Sequence, residues 1–67
     1  MYTDWNLILN TKKNVAAVSN FAEGSTTGKE LLSSFANTPS SGPVRTLLKE
    51  RGVIGARALA KRALSRR

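Results

Sequence analysis

The lack of both cysteine and histidine in a chain of 67 residues most strongly limits what this protein can fold into. Domains of this size bury a modest fraction of their surface, and many depend on a disulfide or a structural metal ion. No thiol can form a disulfide here, and no thiolate or imidazole can bind zinc. The apolar residues must supply the core alone. We therefore expect a chain that is loosely packed or extended and is ordered by a larger assembly.

The N-terminal segment, residues 3–23, has the apolar spacing of an α-helix. Residues that share one face recur three and four positions apart. They are Trp5, Ile8, Leu9, Val15, Val18, Phe21 and Ala22. A polar stretch from Asn10 to Asn14 interrupts them, so the pattern fits either one long helix or two short helices broken near Asn10. Gly24 suits a helix stop, because glycine readily adopts the left-handed backbone. The aromatic side chains fall at core spacings, which favours packing over base stacking.

A second helix is predicted over residues 27–36. Thr27 and Glu30 have the spacing of a capping box, in which the hydroxyl and the carboxylate each bond a backbone amide. The helix is expected to end at Asn37–Pro39, since the residue before proline avoids the helical region. The stretch Gly24–Glu30 also resembles a phosphate-binding loop. It has only three residues between its glycines, however, and glutamate where a hydroxyl residue must follow the lysine. We interpret it as a turn and a cap.

The third segment, residues 43–67, is predicted to form a helix, a hinge and a second helix. Pro43 suits the first helical position, and residues 44–51 follow as two turns. The stretch Gly52–Gly55 marks the hinge. Over residues 56–67, alanine and leucine occupy one face at about 100° per residue, and cationic side chains occupy the rest. With the two earlier segments, this predicts an all-α fold of three to four short helices.

Positive charge divides the chain into a neutral segment, residues 1–42, and a basic segment, residues 43–67. The neutral segment has three lysines and three carboxylates, whereas the basic segment has eight cations and a single carboxylate. Six of the eight are arginines, which favours bidentate contacts with phosphate. The predicted nucleic-acid-binding residues are Arg45, Lys49, Arg51, Arg57, Lys61, Arg62, Arg66 and Arg67. We therefore expect the neutral segment to pack on protein and the basic segment to bind nucleic acid or another polyanion.

Catalytic and metal-binding sites would lack their usual side chains. The carboxylates are Asp4, Glu23, Glu30 and Glu50, spread along the chain without an obvious pair. With histidine and cysteine also missing, this predicts that the protein is not an enzyme and needs no metal or cofactor. The N-terminus lacks the charged start and apolar centre of a secretory signal. Apolar runs are far shorter than the roughly 20 residues of a membrane span. We therefore expect no secretion through a signal peptide and disfavour a membrane partner.

Three functions fit this pattern. The leading one is a small structural component of a larger assembly. That assembly is a virion, with the protein as a minor capsid component beside the packaged genome, or a cytoplasmic ribonucleoprotein; we rank the virion first. The second is a DNA-binding regulator, because residues 47–61 resemble a helix-turn-helix with a basic second helix. The third is a cationic amphipathic peptide that acts on membranes, although the mostly alanine face of residues 56–67 would bury little apolar area in lipid.

Overall fold

The structure, a computed structural model, describes residues 2–66, with side chains from Trp5 onward. Within this part, the chain forms four α-helices and no strand. The helices are α1 (Tyr2–Ile8), α2 (Lys12–Ala22), α3 (Gly28–Ser34) and α4 (Ser41–Ser65). The all-α prediction is confirmed, and the number of helices lies within the expected range.

One apolar core joins all four helices, and the expectation of a loosely packed or extended chain is wrong. The radius of gyration is 10.1 Å, against about 11 Å for a compact domain of this length. Trp5, Phe21 and Phe35 are the largest core side chains and are almost completely buried, as their helical spacing predicts. The other core residues are Ile8, Leu9, Val18, Ala22, Leu31, Val44, Leu47, Ala56, Ala60 and Ala63. Bulky side chains from α1 to α3 thus meet small alanines of α4, which allows the helices to approach closely.

The N-terminal segment forms two helices, separated at residues 9–11. Thr11 has an extended backbone just before α2, and its Oγ1 accepts a hydrogen bond from the amide of Asn14 at 3.2 Å. The Asn14 side chain is buried, and its Nδ2 donates to the carbonyl oxygen of Ile8 at the end of α1. The Asn14 side chain thus satisfies a carbonyl at the end of α1, and the Asn14 amide is itself satisfied by the Thr11 cap of α2. Of the two arrangements that the sequence allows, the break near Asn10 is the one that forms.

Local signals place the connection between α2 and α3. Gly24 has a φ of 85°. Its amide and that of the next residue donate to carbonyl oxygens in the last turn of α2 at 3.0 and 2.9 Å, which are the two bonds of a Schellman motif. Thr27 and Glu30 form the predicted capping box. The Thr27 Oγ1 accepts from the Glu30 amide at 3.1 Å, and the Glu30 Oε1 accepts from the Thr27 amide at 3.2 Å. Both sequence predictions are confirmed.

Helix α3 ends earlier than its sequence predicts. Its last residue is Ser34, and Phe35 leaves the helix and enters the core. The amide of Phe35 donates to the carbonyl oxygen of Leu32 at 3.1 Å, a tight turn that continues no further as an α-helix. The α-helix therefore ends before Asn37–Pro39, where the sequence predicted its end.

Helix α4 also begins earlier than predicted. Its first residue is Ser41, so Pro43 occupies the third helical position rather than the first. Proline is tolerated there because the amides of the first turn have no partner within the helix. Ser40 precedes the helix, but its hydroxyl does not cap it. The Ser40 Oγ instead accepts from Nδ2 of Asn14 at 3.3 Å, and this bond ties the start of α4 to α2.

Helix α4 bends at one residue, Gly52, whose φ of 72° and ψ of 174° are not helical. Gly55 remains helical, so the hinge expected over Gly52–Gly55 narrows to its first residue. We call residues 41–51 the N-terminal arm of α4 and residues 53–65 its C-terminal arm. The bend allows both arms to bury apolar side chains in the same core, which a straight helix of this sequence would not do.

Alanine in place of Gly52 is expected to lower the free energy of unfolding by about 1–2 kcal/mol, because a Cβ is strained at positive φ. Gly42→Ala is the matched control. An added Cβ meets nothing within 4 Å at either site, but only Gly52 has a positive φ. Alanine at residue 42 should be neutral or slightly stabilising. Urea unfolding of both variants measures the difference, and equal effects would contradict the strain at the bend.

Candidate nucleic-acid interface

The predicted binding residues are exposed with one exception among those described. The exposed ones are Arg45, Lys49, Arg51, Lys61, Arg62 and Arg66. Arg57 is half-buried, and Arg67 lies outside the described residues. The structure thus brings six of the eight to the surface of α4 and its capping residue. These cations therefore lie on the exposed side of a helix whose other side packs in the core.

In the N-terminal arm, apolar side chains are buried in the core, and the cations lie on the exposed side of the helix. Arg45 and Lys49 are one helical turn apart, so their side chains lie on the same side of the arm. Arg51 is the last residue before the bend. All three are exposed. The arm therefore presents two adjacent cations on one side and a third next to Gly52.

In the C-terminal arm, Ala56, Ala60 and Ala63 are buried at spacings of four and three residues. The alanine face that the sequence predicts is therefore the face that meets the core. Lys61 and Arg62 follow on the side turned away from the core and are exposed. These alanines pack the C-terminal arm into the shared core, so its exposed cations lie on an ordered helix rather than on a free tail.

Arg57 is engaged within the fold. Its Nε donates to the carbonyl oxygen of Phe21 at 3.0 Å, and its Nη2 donates to the carbonyl oxygen of Thr26 at 2.7 Å. The guanidinium carbon also lies 5.1 Å from the centre of the Phe21 ring, within the range of a cation–π contact. Arg57 thus joins the C-terminal arm to the end of α2 and to the loop that follows it. The carbonyl oxygen of Phe21 also accepts from the Gly24 amide at 3.0 Å, so Arg57 gives it a second donor, and Arg57 gives the loop carbonyl of Thr26 a charged donor.

Sequence reasoning grouped Arg57 with the phosphate ligands because composition and spacing do not distinguish an inward arginine from an outward one. Arg57 follows Ala56 directly and lies at the edge of the alanine face, but Lys61 follows Ala60 in the same way and is exposed, so this position is a weak signal. Arginine at such an edge often extends along apolar surface towards a polar partner. The partner itself, a loop more than 30 residues earlier, has no mark in the sequence.

An apolar patch interrupts the cationic surface at the start of the C-terminal arm. Ile54 is 85% exposed and Val53 is 41% exposed. Ile54 borders a shallow hollow of about 290 Å³ together with Ala22, Arg57, Ala58 and Lys61. The surface around the bend therefore combines cations with one large exposed aliphatic side chain.

This fold does not favour base stacking by the aromatic residues or base recognition by a helix-turn-helix. Trp5, Phe21 and Phe35 are buried, so in the folded chain they pack in the core instead of stacking on bases. The arms of α4 meet at the single non-helical residue Gly52, whereas a helix-turn-helix has a turn of three or four residues. Six predicted binding residues, on α4 and its capping residue, are exposed at the surface of this fold.

The part of the chain that the structure describes has neither a cluster of metal ligands nor a membrane-spanning helix. Among the described side chains, Trp5 to Arg66, no three histidine, cysteine or carboxylate groups lie together in a way that would hold a metal ion. In the same part of the chain, no helix is both long and apolar enough to cross a membrane. Comparisons of the chain with protein-family models, with curated protein sequences and with solved structures found no match.

Proposed function

We propose that this protein is a small non-catalytic accessory component of a larger nucleoprotein assembly that binds nucleic acid non-specifically through α4. The observation that supports this most directly is the exposure of six cations on one helix and its capping residue. The basic segment that contains them carries the whole net charge of +7, because the neutral segment sums to zero. A phosphate backbone is the polyanion that such a surface matches best.

The side chains of α4 favour contact with phosphates over the recognition of a base sequence. The basic segment has no asparagine and no glutamine, which are the usual partners of adenine in the major groove. Arginine can recognise guanine, but the same guanidinium also forms bidentate contacts with phosphate. Phosphate contacts position a protein on nucleic acid without reading its sequence. We therefore propose binding that depends on charge and tolerates any sequence.

A salt series tests this function. If all six exposed cations contact phosphates, the logarithm of the binding constant for duplex DNA should fall with the logarithm of salt concentration with a slope of about −5. Fluorescence anisotropy with random-sequence duplex DNA and duplex RNA measures it. A flat salt response, or no binding to either duplex at low salt, would exclude the proposed function.

Within this function, we rank a minor capsid component beside a packaged genome ahead of a subunit of a cytoplasmic ribonucleoprotein. In either setting, the neutral segment would contact neighbouring protein and α4 would face nucleic acid. Sedimentation of the protein with and without nucleic acid tests whether binding assembles larger particles. A complex that remains one protein per short duplex at saturation would oppose a packaging role.

Two other functions make different predictions. A helix-turn-helix regulator would prefer one site by a factor of about 10³ or more over random DNA, so sequence selection with equal affinity for all products would exclude it. A membrane-active peptide would release dye from anionic liposomes at concentrations at which it binds DNA. The dye-release assay is a useful control because Ile54 and the cations around the bend could together contact an anionic membrane. Liposomes that stay intact would exclude the membrane-active function.

A further inference from the structure

A groove lies where the break between α1 and α2 meets the connection between α3 and α4, and all but one of its lining residues belong to the neutral segment. It has a volume of about 650 Å³, within the range of small-molecule sites in proteins. Its walls are formed by Leu7, Ile8, Asn10, Thr11, Lys13, Asn14, Thr38, Pro39, Ser40 and Pro43. The groove is separate from the cations of α4, and the proposed function does not use it.

Hydrogen bonds hold the walls of this groove together before any ligand enters. Asn14 is 6% exposed, and its Nδ2 donates both to the carbonyl oxygen of Ile8 and to the Oγ of Ser40. The first bond fixes the end of α1, and the second fixes the start of α4. A site whose walls are already positioned loses less entropy when a ligand binds.

The apolar part of the lining is aliphatic. Leu7, Ile8, Pro39 and Pro43 contribute to it, and none of the described lining residues is aromatic. Leu7 is 63% exposed although it belongs to a helix of the core, so the fold leaves this side chain uncovered at the groove. Aliphatic walls without an aromatic ring suit a flexible alkyl chain better than a flat ring.

The polar part of the lining favours an anion. Lys13 is the only charged residue among the described lining residues, and none of those residues is a carboxylate. The hydroxyls of Thr11 and Ser40 each act as acceptors in their bonds to Asn14. A hydroxyl that accepts a hydrogen bond keeps its own O–H as a donor. An ammonium group and two hydroxyl donors near an aliphatic wall match a carboxylate with an alkyl chain.

We propose that this groove binds the monomeric form of a medium-chain aliphatic carboxylate. The alkyl chain lies against Leu7 and the two prolines, and the carboxylate accepts hydrogen bonds from Lys13 and the neighbouring hydroxyls. Recognition needs both parts, because the charge alone is shared with every surface lysine and the alkyl chain alone gains nothing from Lys13.

Octanoate, titrated well below the concentration at which it self-associates, is the probe. We expect saturable changes in the amide NMR shifts of residues 7–14 and 38–43. Octanol, which has the same chain without the charge, should bind at least about tenfold more weakly. Across butanoate, hexanoate and octanoate, affinity should rise by up to about fourfold per methylene group. Octanol that binds as tightly as octanoate, or shifts confined to α4, would overturn the proposal.

Two pairs of variants separate the groove from general attraction of anions to a basic protein. Lys13→Gln should weaken octanoate binding about tenfold. Lys12→Gln removes the same charge from the adjacent exposed residue outside the lining and should change binding less than about twofold. Leu7→Ser should reduce the dependence on chain length, whereas Ile54→Ser, at an exposed aliphatic residue elsewhere, should not. Equal effects within either pair would overturn the proposal. If Lys13→Gln does not fold, the comparison of octanoate with octanol on the unaltered protein tests whether the carboxylate is recognised.

Discussion

Replacing Arg57 with glutamine is expected to lower the free energy of unfolding by about 3 kcal/mol. The substitution removes two hydrogen bonds from a charged donor to the carbonyl oxygens of Phe21 and Thr26, and such bonds contribute about 1.5–3 kcal/mol each. It also removes the contact with the Phe21 ring, which contributes roughly 0.5–1 kcal/mol. Part of this total is recovered as water reaches the half-buried carbonyls. Urea unfolding monitored by circular dichroism measures the change.

Arg45→Gln is the matched control for Arg57→Gln. It makes the same chemical change on the same helix, but at an exposed residue, and its effect on the free energy of unfolding should stay within about 0.5 kcal/mol. Arg57→Lys should restore little of the loss, because an ammonium group lacks the planar fork that reaches two carbonyls at once. A destabilisation by Arg57→Gln no larger than that by Arg45→Gln would show that the contacts of Arg57 contribute nothing to the fold.

Reversing three exposed cations of α4 is expected to weaken nucleic-acid binding by about 100-fold at moderate salt. The variant carries Arg45→Glu, Lys49→Glu and Lys61→Glu, which lie on both arms of α4. Each phosphate contact that is lost should also reduce the salt dependence, so the slope should become less steep by about 3. Fluorescence anisotropy over the same salt series measures both quantities.

The three lysines of the neutral segment provide a charge-matched control. Lys12, Lys13 and Lys29 are all exposed, and changing them to glutamate replaces three cations by three anions, as in the α4 variant. Both variants therefore fall from a net charge of +7 to +1. If α4 is the interface, the control should keep most of the salt slope and lose far less affinity. Equal losses would mean that net charge drives binding and that no particular surface does so.

Features that depend on neighbouring residues were predictable from the sequence. The capping box of Thr27 and Glu30 joins residues three apart, and Gly24 ends α2 through bonds that span at most five residues. The buried side of each helix follows from spacings of three and four, which is why the core positions of the aromatic residues were predicted. Within such short separations, the chain has few alternatives that satisfy its amides and carbonyls.

Features that depend on distant residues were not predictable in this way. The sequence allowed α1 and α2 to form one continuous helix. The hydrogen bonds from the Asn14 side chain to the carbonyl oxygen of Ile8 and to the Oγ of Ser40 accompany the break, and the bond to Ser40 joins residues far apart in sequence. The sequence predicted a bend over the four residues Gly52–Gly55, but only Gly52 is non-helical. A bend at this residue lets both arms bury their apolar faces in one core. The groove around Lys13 exists only because the α3–α4 connection crosses the break.

The sequence by itself determined the all-α class, the local caps and the concentration of charge in residues 43–67, because each follows from composition or from contacts within a few residues. Only the tertiary structure decided that the chain is compact and that Arg57 faces inward. The partners of its guanidinium lie 36 and 31 residues away, and no local pattern encodes that distance. An arginine that bonds within the fold and an exposed arginine look alike in sequence. The tertiary structure distinguishes Arg57 because it places two carbonyl oxygens within reach of its guanidinium.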